Sequence, residues 1–255
     1  MSAILSVGLV FAETMALLLV SAHVGHLFGR RHREKSDPEA RSQVGIVEGA
    51  LLGLLALLMG FTFAMAVSRF EQRQSLVLRE ANDLGTAYLR CDFLPGDQQS
   101  LARAKLREYA DARVTIAFAG VELSQIDESV RHVGRLQADL WAMARDEAKA
   151  RPGPGIMSLV TALNALFDTG EARRAALDNT VPGSVWVVLY LVAFLTAGSL
   201  GFGSGLAGRR MLLPVILVPA LLGILLTLLV DLDHPRHGLI HTSQESMIRA
   251  RDAMK

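Results

Sequence analysis

The sequence has one cysteine, Cys91. A lone thiol excludes an intramolecular disulfide and a CxxC metal site, and its simplest role is that of a small buried apolar residue. Basic excess is also missing, because 26 Lys and Arg face 25 Asp and Glu for a formal net charge of +1. That balance argues against nucleic acid as a partner. No GxSxG, HExxH or P-loop occurs, and the glycine run GSLGFGSGLAG (198–208) ends a membrane span instead of joining a strand to a helix, so it is no dinucleotide fingerprint and no enzyme signature is present. No repeat of fixed period is visible, and nothing reads as a strand.

What the chain has instead is hydrocarbon. Of its 255 residues, 51% are hydrophobic and mean hydropathy is +0.33. A membrane-spanning helix needs about 20 mostly apolar residues. Four stretches approach or meet that length: 3–29, 47–67, 185–206 and 211–230. The last three contain a single ionisable residue, Glu48, at an edge. The first is read as a retained helix and not a cleaved signal, because its positive charges (GRRHREK) follow the apolar core instead of preceding it.

Short polar loops join the spans in pairs, giving two hairpins. Between them lie about 115 residues rich in charge of both signs, with no run long enough to span. The expected organisation is a hairpin over 1–67, a soluble helical bundle over 68–183, a second hairpin over 184–231, and an exit turn with a short polar helix over 232–255. The fold class is therefore all-α, a polytopic membrane protein.

Periodicity in the insert is helical throughout. Phe70, Val77, Ala81, Leu84 and Tyr88 share one face of a helix that continues from the second span. Ala102, Leu106, Tyr109, Ala110, Ile116 and Ala117 mark a second helix after Pro95-Gly96. Leu123, Ile126, Val130, Val133 and Leu140 mark a third, which ends at RPGPG. Leu159, Leu163, Leu166 and Phe167 point inward from a fourth. Thr242 and Glu245 have capping-box spacing ahead of the last short helix.

The sidedness is open. The hairpin loops contain five Lys/Arg over 30–41 and two at 209–210, against six in the flanks of the opposite side. Short-loop counting weakly favours an extracytoplasmic insert.

Three groups of residues are candidates for function. In the second span, Gly49, Gly53, Ala56, Gly60 and Ala64 recur at steps of three and four, which lets backbones approach closely. The simpler reading is packing against a neighbouring span of the same subunit. The sharper one is packing between subunits around an axis, with Phe61 and Phe63 facing lipid or a constriction. A second group, Glu13, His23, His26 and Glu48, places ionisable side chains within or beside lipid, where charge is costly. Interfacial snorkelling or hydrogen bonding is the plainer account, and a pH-sensitive or ion-contacting His23–His26 pair the other.

The third group is DLDHPRHGLIH, directly behind the last apolar run. Asp231 and Asp233 offer oxygens to calcium or magnesium, and His234, His237 and His241 suit zinc. Pro235 and Gly238 break any single helical face, however, so the preferred reading is a membrane-exit turn whose acids cap backbone or pair with arginines such as Arg69 or Arg236.

Three segments together, VEGALLGLLALLMGFTFAMAVSRFEQR (47–73), EANDLGTAYLR (80–90) and DLDHPRHGLI (231–240), resemble the bacterial bestrophin-like membrane family. The resemblance covers essentially the whole chain. It implies an oligomeric anion channel, with the span from Gly49 to Ala64 toward the pore and Asp231 with Asp233 near a calcium-sensing region. It also implies a cytoplasmic insert, the side opposite to that favoured by loop charge. The expected partners are the lipid bilayer of the inner membrane and further copies of the chain, with the helical bundle as the surface open to a protein partner. No cofactor is expected beyond a divalent cation. The alternatives are a non-conducting scaffold or sensor and, further off, a metal-dependent membrane enzyme.

Overall fold

The structure is a computed structural model that describes residues 3–35, 37–118, 123–208, 212–234 and 239–254. Among them no strand occurs. The helices are α1 (Ala3–His32), α2 (Pro38–Arg90), α3 (Gly96–Phe118), α4 (Leu123–Ala150), α5 (Pro154–Asp178), α6 (Gly183–Ala207), α7 (Leu212–Asp233) and α8 (Glu245–Ala253). The chain divides into two compact units, Met1–Arg69 with Thr180–Ile240, and Phe70–Asn179 with His241–Lys255. Four helical segments are long and apolar enough to cross a membrane, and the chain is an all-α polytopic membrane protein. The second span and the first helix of the insert are one helix of 53 residues, about 80 Å long at ~1.5 Å per residue.

In the first unit, α1 and α6 touch through their backbones. A Cβ built on Gly201 would collide with the carbonyl oxygen of Ala22 and lie 2.7 Å from its carbonyl carbon. One on Gly205 would lie 2.8 Å from the Arg30 nitrogen and 2.9 Å from the Gly29 Cα. From the other side, a Cβ on Gly25 would meet the Gly198 carbonyl, and one on Gly29 the Phe202 carbonyl. Lipid tails are as apolar as leucine, so helices gain nothing by exchanging lipid for a bulky side chain. They gain by close van der Waals approach, and glycine permits it. Ser21 Oγ donates to the Phe194 carbonyl at 2.8 Å, and the Thr14 and Tyr190 hydroxyls are 3.3 Å apart across the same seam. The glycines of GSLGFGSGLAG thus serve packing. At the end of α6, Gly208 turns the chain with φ of 68°, a left-handed conformation that suits glycine.

The second unit is a helical bundle. On α2 Arg73, Val77, Glu80, Leu84 and Ala87 are buried at alternating steps of four and three as in a heptad seam, with Ala81 buried beside them and Cys91 just past the helix end. Leu106 and Tyr109 of α3, Leu136 and Leu140 of α4, and Leu159, Leu163 and Leu166 of α5 complete the core. The side chains of Ala117, Leu123 and Ile126 lie outside the described residues, and Phe167 is only partly buried. Cys91 is buried, and that burial pushes its thiol up to about 11.

The expected short polar helix is α8. It docks on the bundle, since Met247 and Met254 belong to the core, and Tyr88 Oη and Arg107 Nε both donate to the Met254 carbonyl. The expected capping box, however, does not form. The Glu245 N–H is taken by Ser243 Oγ at 3.3 Å, while the Thr242 hydroxyl is buried and makes no hydrogen bond among the described residues. Gln244, not Thr242, occupies the cap position, because its amide is drawn inward to Arg173.

That contact belongs to a polar hub that sequence periodicity conceals. Glu80 is fully buried on α2 and receives the Tyr109 hydroxyl at 2.7 Å, Arg173 Nη1 at 2.7 Å and Arg113 Nη2 at 3.0 Å. Arg173 Nη2 in turn donates to Gln244 Oε1 at 2.6 Å. Gly170 leaves the space, as a Cβ there would sit 2.9 Å from the Tyr109 oxygen. Burial by itself raises the Glu80 carboxyl, but Arg113 and Arg173 outweigh it and hold the group below its ordinary 4.5. Burial, and then the Glu80 charge, push the Tyr109 phenol far above its usual range.

Two predictions follow from these contacts. Gly201→Val should destabilise the protein in detergent by about 1–3 kcal/mol or more, the cost of overpacking, because the opposing group is backbone and cannot rotate away. Gly8→Val, where a Cβ meets nothing within 4 Å, should leave the unfolding midpoint unchanged. Glu80→Gln keeps the shape but leaves two buried guanidinium groups uncompensated, and should cost about 3–5 kcal/mol. Because the folded Glu80 carboxyl is depressed, its contribution is complete above the ordinary 4.5 and is lost as pH falls through the lower folded value. Unfolding of the full chain between neutral and acid pH should therefore show a steeper acid limb in wild type than in Glu80→Gln.

Candidate permeation face and membrane-exit turn

Within the first unit, α2 presents two unlike faces over its membrane span. Leu55, Met59, Thr62 and Ala66 form the buried one, spaced four, three and four apart. Thr62 spends its hydroxyl on the Leu58 carbonyl at 2.8 Å, so this face is apolar in effect. The other face is open. Gly49, Gly53, Ala56, Gly60 and Ala64 are all exposed, and a Cβ on Gly49, Gly53 or Gly60 meets nothing within 4 Å. Packing of this stripe against a neighbouring span of the same subunit is therefore overturned. The glycines that bring spans together inside the subunit are those of α1 and α6.

Phe61 is 62% exposed and Phe63 41%. Phe63 lies three residues from Gly60, beside the small-residue stripe on the helix surface, whereas Phe61 is turned about 100° away. No ionisable side chain lies on the open face between Gly49 and Ala64. Glu48, just before it, lies against Gly203 of α6, with Oε1 buried and not hydrogen-bonded.

The other intramembrane polar residues lie on α1. Glu13 and His23 are exposed, and His26 is half-buried. His23 and His26 are on one side of the helix, as their spacing requires.

At the end of α7 the two acids have distinct jobs. Asp233 is fully buried, and both its oxygens accept the Val181 N–H, at 2.9 and 3.0 Å. Arg69 Nη1 stands 4.0 Å away. Asp231 accepts the N–H of Leu239 at 2.7 Å with one oxygen and that of Ile240 at 3.1 Å with the other. Each carboxylate thus organises backbone: one holds the entry to α6, and the other the chain leaving α7. His234 is exposed, and its Nδ1 donates to the Val230 carbonyl at 3.1 Å.

These contacts bear on a divalent cation. Among the described residues no group of three His, Cys, Asp or Glu converges. Each oxygen of Asp231 and Asp233 already accepts one backbone N–H. His237 lies outside the described residues, as do Pro235, Arg236 and Gly238.

Sequence reasoning missed two functional features that had a signal. Gly25 and Gly29 are a small-xxx-small pair within the first apolar run, and Glu80 opens EANDLGTAYLR one residue before Ala81 on the apolar face. Asp233→Ala should strand the buried Val181 N–H and cost about 1–3 kcal/mol in the unfolding of detergent-solubilised protein. Asp233→Asn, which retains an acceptor, should cost less.

Comparison with known proteins agrees with this architecture. The chain matches the family model of the Bestrophin-like domain over residues 7–247. No curated protein sequence matches it. Among solved structures, a variant of a bacterial bestrophin homologue from Klebsiella pneumoniae aligns over 96% of this chain and 97% of its own, with TM-score 0.64 and 15% identity. A second variant of that protein aligns over 95% and 98%, with TM-score 0.65 and 14% identity. The crystal structure of a further membrane protein gives TM-score 0.67 at 13% identity over 96% and 97%. At these identities the likeness is one of fold. The family match, which takes in the open face of α2 and the exit turn alike, has its own weight: the chain belongs to the Bestrophin-like family and is a bestrophin-type membrane protein.

Proposed function

We propose that the protein is an oligomeric anion channel of the bacterial inner membrane, in which α2 of each copy lines the path. The observation that carries this reading is the open face of α2. A span normally hides small residues against a partner, because small residues earn close contact only there. Here Gly49, Gly53, Gly60 and Ala64 have no partner within the subunit, and a second copy supplies one. With no acid on that face to repel anions, control is steric and by dewetting at Phe63, beside the stripe, with Phe61 set against the neighbouring copy. The bestrophin homologues of like fold support the same reading. Catalysis has no place in this account.

Purified protein in liposomes should pass halide in preference to a large organic anion, and Phe63→Ala should raise the flux at least a few-fold. Gly60→Leu should abolish the oligomer while leaving the monomer folded, since a Cβ at Gly60 meets nothing within 4 Å. A folded oligomer that passes neither halide nor cations, under several ionic and calcium conditions, would sink the channel reading in favour of a non-conducting scaffold acting through the bundle.

A further inference from the structure

Away from the open face of α2, the first unit contains a cavity of about 260 Å³ between the start of α1 and the end of α7. Val7 and Val10 line it from α1, and Thr227, Val230 and Asp231 from α7, with His234 at one end. Along α7 its lining from Thr227 to Asp231 covers about 6 Å of helix axis. Its polar wall atoms are already engaged. Thr227 Oγ1 donates to the Gly223 carbonyl at 2.7 Å, the two Asp231 oxygens hold the N–H groups of Leu239 and Ile240, and His234 Nδ1 holds the Val230 carbonyl. Ser6, at the rim, is engaged as well.

The wall between the ends of the cavity is mostly apolar and its polar atoms already make hydrogen bonds, so little is left to hold water there. The space therefore suits hydrocarbon. It lies inside the apolar segments Leu5–His32 and Val215–Asp233, so the hydrocarbon at hand is that of the bilayer. At the mouth, His234 is exposed, and its Nε2 has no partner among the described residues. Residue 234 is the first after α7, at the level where the chain leaves the apolar zone and phosphate groups lie.

We propose that this cavity is a binding site for one phospholipid, whose acyl chain lies between α1 and α7 and whose headgroup N–H or O–H donates a hydrogen bond to Nε2 of His234, the ring nitrogen left as an acceptor when Nδ1 donates to Val230. The chain fills a dry space that neither helix closes. The imidazole sets which end of the lipid stays outside. Asp231 adds no repulsion of its own, because two backbone N–H dipoles face its charge. The site is independent of conduction, so it stands or falls separately from the channel reading.

The test is photolabelling of the full-length protein in vesicles of phosphatidylethanolamine and phosphatidylglycerol doped with a phospholipid that has a diazirine on its acyl chain. Label should concentrate on Val7, Val10 and Val230, above the level at Leu17 and Val20, which are exposed on α1 outside the cavity. Val10→Trp fills the space and should cut that labelling about tenfold, the ratio that roughly two buried methylenes supply. His234→Ala should weaken labelling by the phospholipid but not by a free fatty acid with the same diazirine. Labelling of wild type that is even along α1 would overturn the site without recourse to any variant. Labelling by the phospholipid that is unaffected by His234→Ala would overturn the assignment to a phospholipid. Undiminished labelling of folded Val10→Trp would show that the chain lies outside the cavity.

Discussion

The contact on which the membrane unit depends is glycine against backbone, between α1 and α6. In water a helix pair is held by apolar side chains leaving solvent; in lipid that drive is absent, and surface complementarity has to supply the attraction. Gly25 and Gly29 facing Gly198, Gly201 and Gly205 bring two peptide backbones into direct contact. The Ser21 hydroxyl and the Thr14–Tyr190 pair add polar contacts in a medium that offers no water as a competitor. With α1 and α6 joined in this way, α2 is not needed for its small residues to close the subunit, and its glycines remain available to another copy.

The soluble unit solves the opposite problem. Its core is largely hydrocarbon, yet one heptad position of α2 holds a carboxylate. A buried charge is tolerated only when paired and hydrogen-bonded, and Glu80 meets that condition with Tyr109, Arg113 and Arg173. The two arginines respond differently. Glu80 outweighs burial at Arg113 and tightens its hold on the proton, whereas burial prevails at Arg173. Such a hub adds little net stability over an apolar core, but it allows one register only, since any slip of α2 against α3 or α5 leaves charge unpaired. Through Arg173 and Gln244 it also sets where the C-terminal segment docks.

The exit turn shows how residues suggestive of metal chemistry can serve architecture. A carboxylate at the end of a membrane helix meets backbone N–H groups that have lost their helical partners, and satisfying them lowers the cost of leaving lipid. Asp231 and Asp233 do this for two different segments, 239–240 and the start of α6. The acids that resemble an ion site by spacing are therefore structural by contact.

Much was legible in the chain itself. Four apolar runs, a charged insert with helical periodicity and breaks at Pro95-Gly96 and RPGPG determine an all-helical membrane protein, because run length and period follow from the geometry of a single helix. Continuity of the second span into the insert was legible for the same reason, as no proline lies between Val67 and Arg90. Three things were decided only in the tertiary structure. Small-residue spacing tells that a helix face can be approached, not by what, so the glycines of α2 and those of α1 and α6 looked alike until their neighbours were known. Glu80 reads as a surface acid until its three partners, which lie 29 to 93 residues away, fold onto it. Asp233 reads as an acid that caps backbone or pairs with an arginine, but that the N–H it caps is that of Val181, 52 residues earlier in the chain, is decided only by the fold. Each is a contact between distant residues, and periodicity along one helix says nothing about what lies opposite.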